Sequence, residues 1–295
     1  MSFSSITDIL HINADDVSMA LRAAGTACKA VDIVMGNENT NVFSCTHPPG
    51  TLMSYSYILL ILILTSLEGH NISRFGPTLP CNSTGFGLLN NVAIAATYAR
   101  INWGIEKIAI VDIDATFGNG TAEIFKNDDR TFFASVHMIF GPSNEGIRLK
   151  KSHGFFPESL GVTEIRDNFV SIGVQPNKIN KSKSSNQDIQ NLSGPKGFRK
   201  ALDTHIINKM EAFKPDLLII SAGFNGFHSD PIGGELGLDL DDYEYAATVL
   251  MDSMEKIQGA GKSKVLSILE GGYDLSDESK GLANCINSFV NALRL

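Results

Sequence analysis

The chain has 295 residues, of which 43% are hydrophobic, enough to bury one sizeable α/β core, so we expect a single domain. Its formal net charge is −8 and its pI is near 5.4, so the chain as a whole does not attract nucleic-acid phosphates. Since the one loose basic cluster is Lys178, Lys181 and Lys183, direct binding to nucleic acid is not expected.

The four cysteines lie far apart in the sequence and form no CxxC pair. Such thiols are typical of a reducing compartment rather than of a disulfide framework. Residues 1–16 contain no basic region followed by an apolar core, so they do not resemble a secretory signal. We therefore predict an intracellular protein, cytoplasmic or nuclear.

Residues 58–64 are apolar at every position. With the flanking apolar residues the run covers 55–67, which is short of the ~20 residues that a helix needs to cross a bilayer. We expect no membrane span. A buried strand or helix is the simplest interpretation, and a membrane-associated stretch or an inserted segment that does not belong to the fold are the alternatives.

From Ala20 onward, helical patterns alternate with short apolar runs. The spacing of apolar residues predicts helices over 15–35, 90–103, 197–213, 241–258 and 279–293. It predicts strands over 107–111, 132–136, 169–174, 216–221 and 264–269. This alternation predicts an α/β fold with three layers, α-β-α, around a mostly parallel sheet.

The least ordinary residues follow the carboxyl ends of these strands, where open α/β sheets bind their ligands. In Val111-Asp-Ile-Asp-Ala-Thr-Phe-Gly-Asn-Gly-Thr121, the two carboxylates are spaced to converge on one cation. A solvated or capping role for either Asp is an equal interpretation. Two later strand ends read Ser221-Ala-Gly-Phe-Asn-Gly-Phe-His-Ser-Asp-Pro231 and Leu269-Glu-Gly-Gly-Tyr-Asp274.

These three motifs, in this order, resemble the histone deacetylase family. The same family fits Gly85-Phe-Gly-Leu-Leu-Asn-Asn-Val-Ala-Ile-Ala95, Phe155-Phe156 and Pro48-Pro-Gly50. The resemblance covers nearly everything from Asp15 to Leu295 and implies an arginase/deacetylase-like fold for one domain over 1–295. Arginases share this architecture, but they bind two metals through an Asp/His-rich set that this chain lacks.

The family holds zinc through an Asp, a His two residues later and a distant Asp, and leaves a position open for water and the acetyl oxygen. The resemblance puts Asp114, Thr116 and Asn225 at these ligand positions, and only Asp114 is a typical ligand. Because a hydroxyl and an amide replace two good ligands, we expect zinc to bind weakly or not at all. His228 is a nearby imidazole that could substitute, with a surface role as the alternative.

The resemblance also implies roles for other residues near the metal position. Tyr273 matches the donor to the developing oxyanion, and Asp112 matches the carboxylate that supports the catalytic His pair. Asp112, Asp114, Ser135 and the backbone of Val136 fall at an inner monovalent-cation site, for which K⁺ is the expected ion.

Gly85, Phe86 and Phe156 match the walls of the family's acyl-lysine tunnel, where two aromatic faces grip an aliphatic stem. Ordinary core packing is the alternative for both phenylalanines, because a buried Phe needs no ligand.

The family's catalytic His pair follows Pro-Pro-Gly and acts as base and acid. Here Thr51-Leu52 follows that segment, so His70 and Asn71 take the two His positions only if 51–69 is an insertion. A translated intron and a lineage-specific loop would both produce such an insertion. Family members also carry a longer segment before the first predicted helix, so the resemblance implies that an N-terminal portion of the family domain is absent.

The altered ligands and the altered His pair act in one mechanism, so they predict a catalytically impaired or inactive member that serves as a binding or scaffold domain for a protein partner. The alternative is an active metal-dependent deacetylase that hydrolyses acetyl-lysine or acyl-amine amides, with an acetylated protein or an acyl-amine as substrate. His70 or another base and Tyr273 would then carry the reaction. A truncated product with no stable function is the third interpretation.

Overall fold

The computed structural model describes residues 14–37, 40–46, 89–139, 163–177 and 192–293. The Pro-Pro-Gly segment and the hypothetical insertion at 51–69 lie outside these residues. Among the described residues, no helix is long and apolar enough to cross a membrane. Three cysteines, Cys28, Cys45 and Cys285, are free thiols.

One sheet forms the centre of the described chain. Its strands are β1 (Val42–Ser44), β2 (Ile108–Asp112), β3 (Thr131–Met138), β4 (Glu164–Ile165), β5 (Phe169–Val174), β6 (Leu217–Ala222) and β7 (Val265–Leu269). They lie in the order β1-β7-β6-β2-β3-β5-β4. Every neighbouring pair is parallel except β4 with β5, so the predicted mostly parallel sheet is confirmed.

Helices connect the strands. They are α1 (Ala14–Gly36), α2 (Asn91–Trp103), α3 (Asn119–Phe125), α4 (Gly194–Ala201), α5 (Asn208–Phe213), α6 (Leu240–Gln258) and α7 (Gly281–Ala292). A π-helical segment, Leu202–Ile207, joins α4 to α5, and a short 3₁₀ turn covers Gly234–Leu236.

The sheet is buried on both faces, which explains why its strands are apolar at consecutive positions. In β2, Ile108 and Ile110 pack with α1, α2 and α3, whereas Ala109 and Val111 pack on the other face with the helices from α4 to α7. Two separate cores therefore lie on opposite sides of one sheet. This confirms the predicted three-layer α-β-α architecture.

Local sequence signals set the helix ends. The side chain of Asn90 accepts a hydrogen bond from Ala93 N–H at 2.8 Å and begins α2, which ends at Gly104 in the left-handed region, with φ of 66°. Asp239 and Asp242 form a reciprocal capping box at the start of α6. The helix predicted over 197–213 begins earlier, at Gly194, because the proline that follows fits the first turn of a helix.

The short elements β1, β4 and α3 are not predicted by the periodicity of the sequence. β1 has three residues and β4 has two, too few to show an alternating pattern. β1 is held by its pairing with β7, in which Val42 lies opposite Leu266. Pairing with a neighbouring strand, and not intrinsic preference, therefore determines the two short strands.

The strand order brings the three site motifs to one edge of the sheet. Asp112 at the end of β2 lies opposite Ser221 in β6, and Ser221 lies opposite Ile268 in β7. The loops that follow these strands therefore leave the sheet side by side. This is the edge at which parallel α/β sheets bind ligands.

Candidate functional site

The loop after β2 folds around its two carboxylates. Asp112 Oδ1 accepts a hydrogen bond from Asp114 N–H at 2.9 Å, and Asp114 Oδ1 accepts one from Thr116 N–H at 2.7 Å. Each carboxylate thus closes a tight turn two residues on, as aspartate often does. Asp112 is 0% exposed and Asp114 is 5% exposed, so neither carboxylate is solvated. One oxygen of each carboxylate has a capping role in the loop.

Three side chains from two distant segments meet beside this loop. Asn225 Nδ2 donates hydrogen bonds to Asp114 Oδ1 at 2.7 Å and to Thr116 Oγ1 at 3.3 Å. Asn225 follows β6 and is 109 residues from Thr116 in the chain, so the β2–β6 pairing brings them together. The structure therefore brings Asp114, Thr116 and Asn225 within hydrogen-bonding distance of one another.

The orientation of the Asn225 amide follows from its neighbours. Its Oδ1 accepts a hydrogen bond from Ala115 N–H at 2.8 Å, and a backbone N–H can only donate. The amide nitrogen must then face Asp114, whose carboxylate can only accept when ionised. The partially positive N–H groups of Asn225 consequently point into the space that the three side chains share.

The loop after β7 supplies the other side of the site. Gly271 N–H donates to Asp114 Oδ2 at 3.1 Å, and Gly271 carbonyl accepts from Phe224 N–H at 2.8 Å. A Cβ added at Gly223 would lie 2.1 Å from Asp114 Oδ2. The glycine in Ala-Gly-Phe therefore makes room for the Asp114 carboxylate.

Burial governs the protonation of both carboxylates. It raises the pKa of Asp112 well above its usual range, and the nearby Asp114 charge adds to this effect. Burial also raises the pKa of Asp114, against hydrogen bonds from Thr116 N–H and the Asn225 amide that lower it. Asp112 Oδ2 is buried and has no hydrogen-bond partner among the described residues.

Residues of β3 lie next to Asp112. Ser135 is its partner in the β2–β3 register, and Val136 follows it; both are buried. Ser135 Oγ lies 3.2 Å from His137 Nδ1, and burial lowers the pKa of His137 to about 3, so this imidazole is neutral at pH 7. The ring of His137 packs 4.8 Å from that of Phe117.

His228 is the nearby imidazole that could substitute as a ligand, with a surface role as the alternative. Its side chain is exposed and its ring lies 4.3 Å from that of Phe227. Across the described ranges, no group of three or more His, Cys, Asp or Glu side chains is arranged to hold a metal ion.

Asp230, which the sequence did not indicate as a site residue, holds the backbone of Tyr273 in place. The Tyr273 backbone N–H donates to Asp230 Oδ2 at 2.6 Å, and Asp230 Oδ1 accepts from Ile232 N–H at 2.8 Å and from Gly233 N–H at 3.2 Å. Burial and the charge of Asp114 raise the pKa of the Tyr273 phenol, so it stays protonated at neutral pH. The signal for Asp230 was its position in the strand-end motif that also contains Asn225.

Asp274 forms a second link between the same two loops. Ser229 of the β6 loop donates to Asp274 Oδ2, and Ser276 and Ser279 donate to the same carboxylate. These hydrogen bonds lower the pKa of Asp274 to about 2.

Five predicted site residues lie outside the described part of the chain, namely His70, Asn71, Gly85, Phe86 and Phe156.

The chain is similar to known proteins over most of its length. Residues 79–291 match the histone deacetylase domain. Type-2 histone deacetylase 2 of Dictyostelium discoideum is 32% identical over 277 residues, which are 94% of this chain and 14% of that protein. A probable deacetylase of Archaeoglobus fulgidus is 29% identical over 256 residues, which are 87% of this chain and 56% of that protein.

Solved structures agree with the sequence matches. The HDA15 HD domain superposes with a TM-score of 0.62 and 25% identity, covering 94% of this chain and 62% of that one. An acetylpolyamine aminohydrolase from Burkholderia pseudomallei, at 21% identity, shares the fold, with a TM-score of 0.60 over 92% of this chain and 61% of its own. The chain spans less than two thirds of each of these four proteins. The domain match and the shared fold have one explanation: the chain belongs to the histone deacetylase family.

Proposed function

We propose that this chain is a histone-deacetylase-like protein whose hydrolytic chemistry is impaired or absent, and that it acts as a binding or scaffold domain. The observation that carries the proposal is the Asn225 amide nitrogen, 2.7 Å from Asp114 Oδ1 and 3.3 Å from Thr116 Oγ1. N–H groups repel a cation, so an ion shared by these three side chains would first have to displace them.

The proposal takes Asp114, Thr116 and Asn225 as the family's zinc-ligand positions. A catalytic zinc needs three protein ligands and an open fourth position. Here the donor set is one carboxylate whose two oxygens already accept hydrogen bonds, one neutral hydroxyl and one amide nitrogen. This set does not fit zinc.

A binding role rests on groups that remain suited to it. The protonated Tyr273 phenol is a hydrogen-bond donor, and in this proposal it binds the acyl oxygen of an acetylated protein or of an acyl-amine. Phe86 and Phe156, with Gly85, would line the path of the acyl-lysine stem. A protein partner is the expected ligand if the domain serves as a scaffold.

The buried Asp112 fits a monovalent cation. Its Oδ2 is fully buried without a hydrogen-bond partner among the described residues, and a buried anionic oxygen is costly unless a proton or a cation neutralises it. We propose that Asp112, Asp114, Ser135 and the backbone of Val136 would hold K⁺. Bound K⁺ would supply the charge that balances this carboxylate.

The second candidate is an active metal-dependent deacetylase. The relatives favour it, because the first two are named as deacetylases and the shared fold includes an acetylpolyamine aminohydrolase. An active enzyme would require the Asn225 side chain to turn its oxygen toward Asp114 and Thr116, which would break the hydrogen bond from Ala115 N–H. It would also require His70 or another group to act as the base. Tyr273 would then donate to the oxyanion and Asn71 would stand at the second His position.

The test is an assay of the purified full chain with an acetyl-lysine peptide and an acetylpolyamine, in the presence of added Zn²⁺. We expect no hydrolysis, together with calorimetric binding of the acetyl-lysine peptide that Tyr273→Phe weakens about tenfold, as for the loss of one hydrogen bond. Tyr245→Phe, at a half-buried tyrosine of α6 whose hydroxyl donates to Asp203, is the matched control. Turnover that a chelator abolishes would establish the second candidate instead.

A further inference from the structure

We infer that the side-chain amide of Asn225 takes the structural place of a metal ion, so that the carboxyl edge of the sheet folds and stays closed without a divalent cation. This inference deepens the proposed function and rests on it, because it assumes that residues 114, 116 and 225 occupy the metal-ligand positions. It concerns what holds these segments together, and its test measures metal binding and stability rather than hydrolysis.

The hydrogen-bonding groups around Asn225 satisfy one another. Both N–H groups of Asn225 are used, one by Asp114 Oδ1 and one by Thr116 Oγ1, and its oxygen accepts from Ala115 N–H. Asp114 Oδ2 accepts from Gly271 N–H. A buried polar network that is fully paired is stable, and every oxygen of this one already accepts a hydrogen bond.

The Asn225 amide makes the connections that a bridging cation would make. It links the loop after β2 to the loop after β6, and Asp114 carries the link on to the loop after β7 through Gly271. The amide is 2% exposed and Asp114 is 5% exposed, so water does not compete effectively for these bonds. Buried hydrogen bonds to a charged acceptor are among the stronger ones in proteins.

Replacing Asn225 by Asp would place two carboxylates side by side in this buried site. In Asn225→Asp, a carboxylate oxygen would replace the amide nitrogen 2.7 Å from Asp114 Oδ1. Two buried carboxylate oxygens at that distance repel each other unless a proton or a cation lies between them. The single change of nitrogen to oxygen should therefore make the stability of this site depend on a bound proton or cation, which Zn²⁺ can supply.

The experiment compares thermal unfolding of the full-length wild type and of Asn225→Asp, each with excess EDTA and with Zn²⁺ alone, alongside equilibrium dialysis against Zn²⁺. For the wild type we expect the same melting temperature in both conditions and no stoichiometric zinc after dialysis. For Asn225→Asp with EDTA we expect a fall of roughly 5–15 °C, as for an uncompensated buried charge, and at least partial recovery with Zn²⁺. Asn287→Asp, an exposed asparagine of α7, should change neither quantity.

Each remaining outcome is decisive. If Asn225→Asp is recovered folded only in the presence of Zn²⁺, the inference is supported. A variant that does not respond to Zn²⁺, folded or not, overturns it, and so does a wild type that retains zinc and is stabilised by it. A zinc-stabilised wild type without hydrolysis would leave the proposed function standing, whereas zinc-free hydrolysis would remove that function and leave the role of Asn225 intact.

Discussion

The carboxylate of Asp230 accepts a hydrogen bond of 2.6 Å from the backbone N–H of Tyr273, and so joins the loop after β6 to the loop after β7. The same carboxylate satisfies two N–H groups of its own loop, those of Ile232 and Gly233. One side chain that is 6% exposed therefore fixes the position of the residue that we propose as the ligand's hydrogen-bond donor.

Replacing Asp230 by Ala should destabilise the protein. Three backbone N–H groups would lose their acceptor, and we expect the free energy of unfolding to fall by roughly 2–4 kcal/mol. Urea unfolding followed by circular dichroism measures this change. The exposed Asp277 provides the control, because Asp277→Ala should alter stability by no more than about 0.5 kcal/mol. Equal effects for both variants would contradict the linking role of Asp230.

The Asp274 carboxylate should make part of the stability depend on pH. Hydrogen bonds from Ser229, Ser279 and Ser276 lower its folded-state pKa from 3.8 to about 2. A depressed carboxyl pKa means that the contribution of Asp274 is fully present above about pH 4 and is lost as the pH falls toward 2.

Asp274→Asn tests this pH dependence. The difference in unfolding free energy between wild type and variant should be constant from pH 7 to 5 and should shrink as the pH falls from 4 to 3. Asp277→Asn serves as the comparison at an exposed neighbouring position. A difference that does not change between pH 7 and 3 would show that Asp274 acts without its charge.

Two glycines should respond to Ala substitution in opposite directions. At Gly223 an added Cβ would lie 2.1 Å from Asp114 Oδ2, so we expect Gly223→Ala to lower stability by about 3 kcal/mol or more. Gly25 lies within α1 with no heavy atom within 4 Å of an added Cβ. Gly25→Ala should stabilise the protein by about 1 kcal/mol, because alanine favours the helix. Differential scanning calorimetry distinguishes the two, and a tolerated Gly223→Ala would argue against the tight packing around Asp114.

The thiols should differ in reactivity. Cys45 is exposed, whereas Cys285 lies on the buried face of α7 and burial raises its pKa to about 12. Since the thiolate is the reactive form, iodoacetamide at pH 7.5 should modify Cys45 in the native protein and Cys285 only after unfolding. Peptide mass spectrometry over a time course gives both rates, and comparable native rates would contradict the burial of Cys285.

Much of the fold was predictable from sequence because the strands buried on both faces are long apolar runs. The bounds of β6, β7, α1, α2 and α6 are all predicted to within one residue at each end. β1 and β4 were missed because pairing with β7 and β5 stabilises them, and a neighbour in the sheet leaves no periodic pattern in so short a segment.

The candidate site was likewise predictable only in part from the sequence. The three motifs at the strand ends identified the family and indicated Asp114, Thr116 and Asn225, since ligand sites of parallel sheets lie at the carboxyl ends of strands. The function of Asp230 was not predictable, because its three hydrogen bonds depend on how the loops after β6 and β7 pack against each other.

By itself, the sequence determined the family, the layered architecture and the identity of the altered side chains, because these depend on local pattern and on motif order. Only the tertiary structure decided what the altered side chains do together. The Ala115 N–H lies on one side of the Asn225 amide and the Asp114 carboxylate on the other, and this placement turns the amide nitrogen toward the shared space. That orientation arises from contacts between segments more than a hundred residues apart, which no local pattern in the chain encodes.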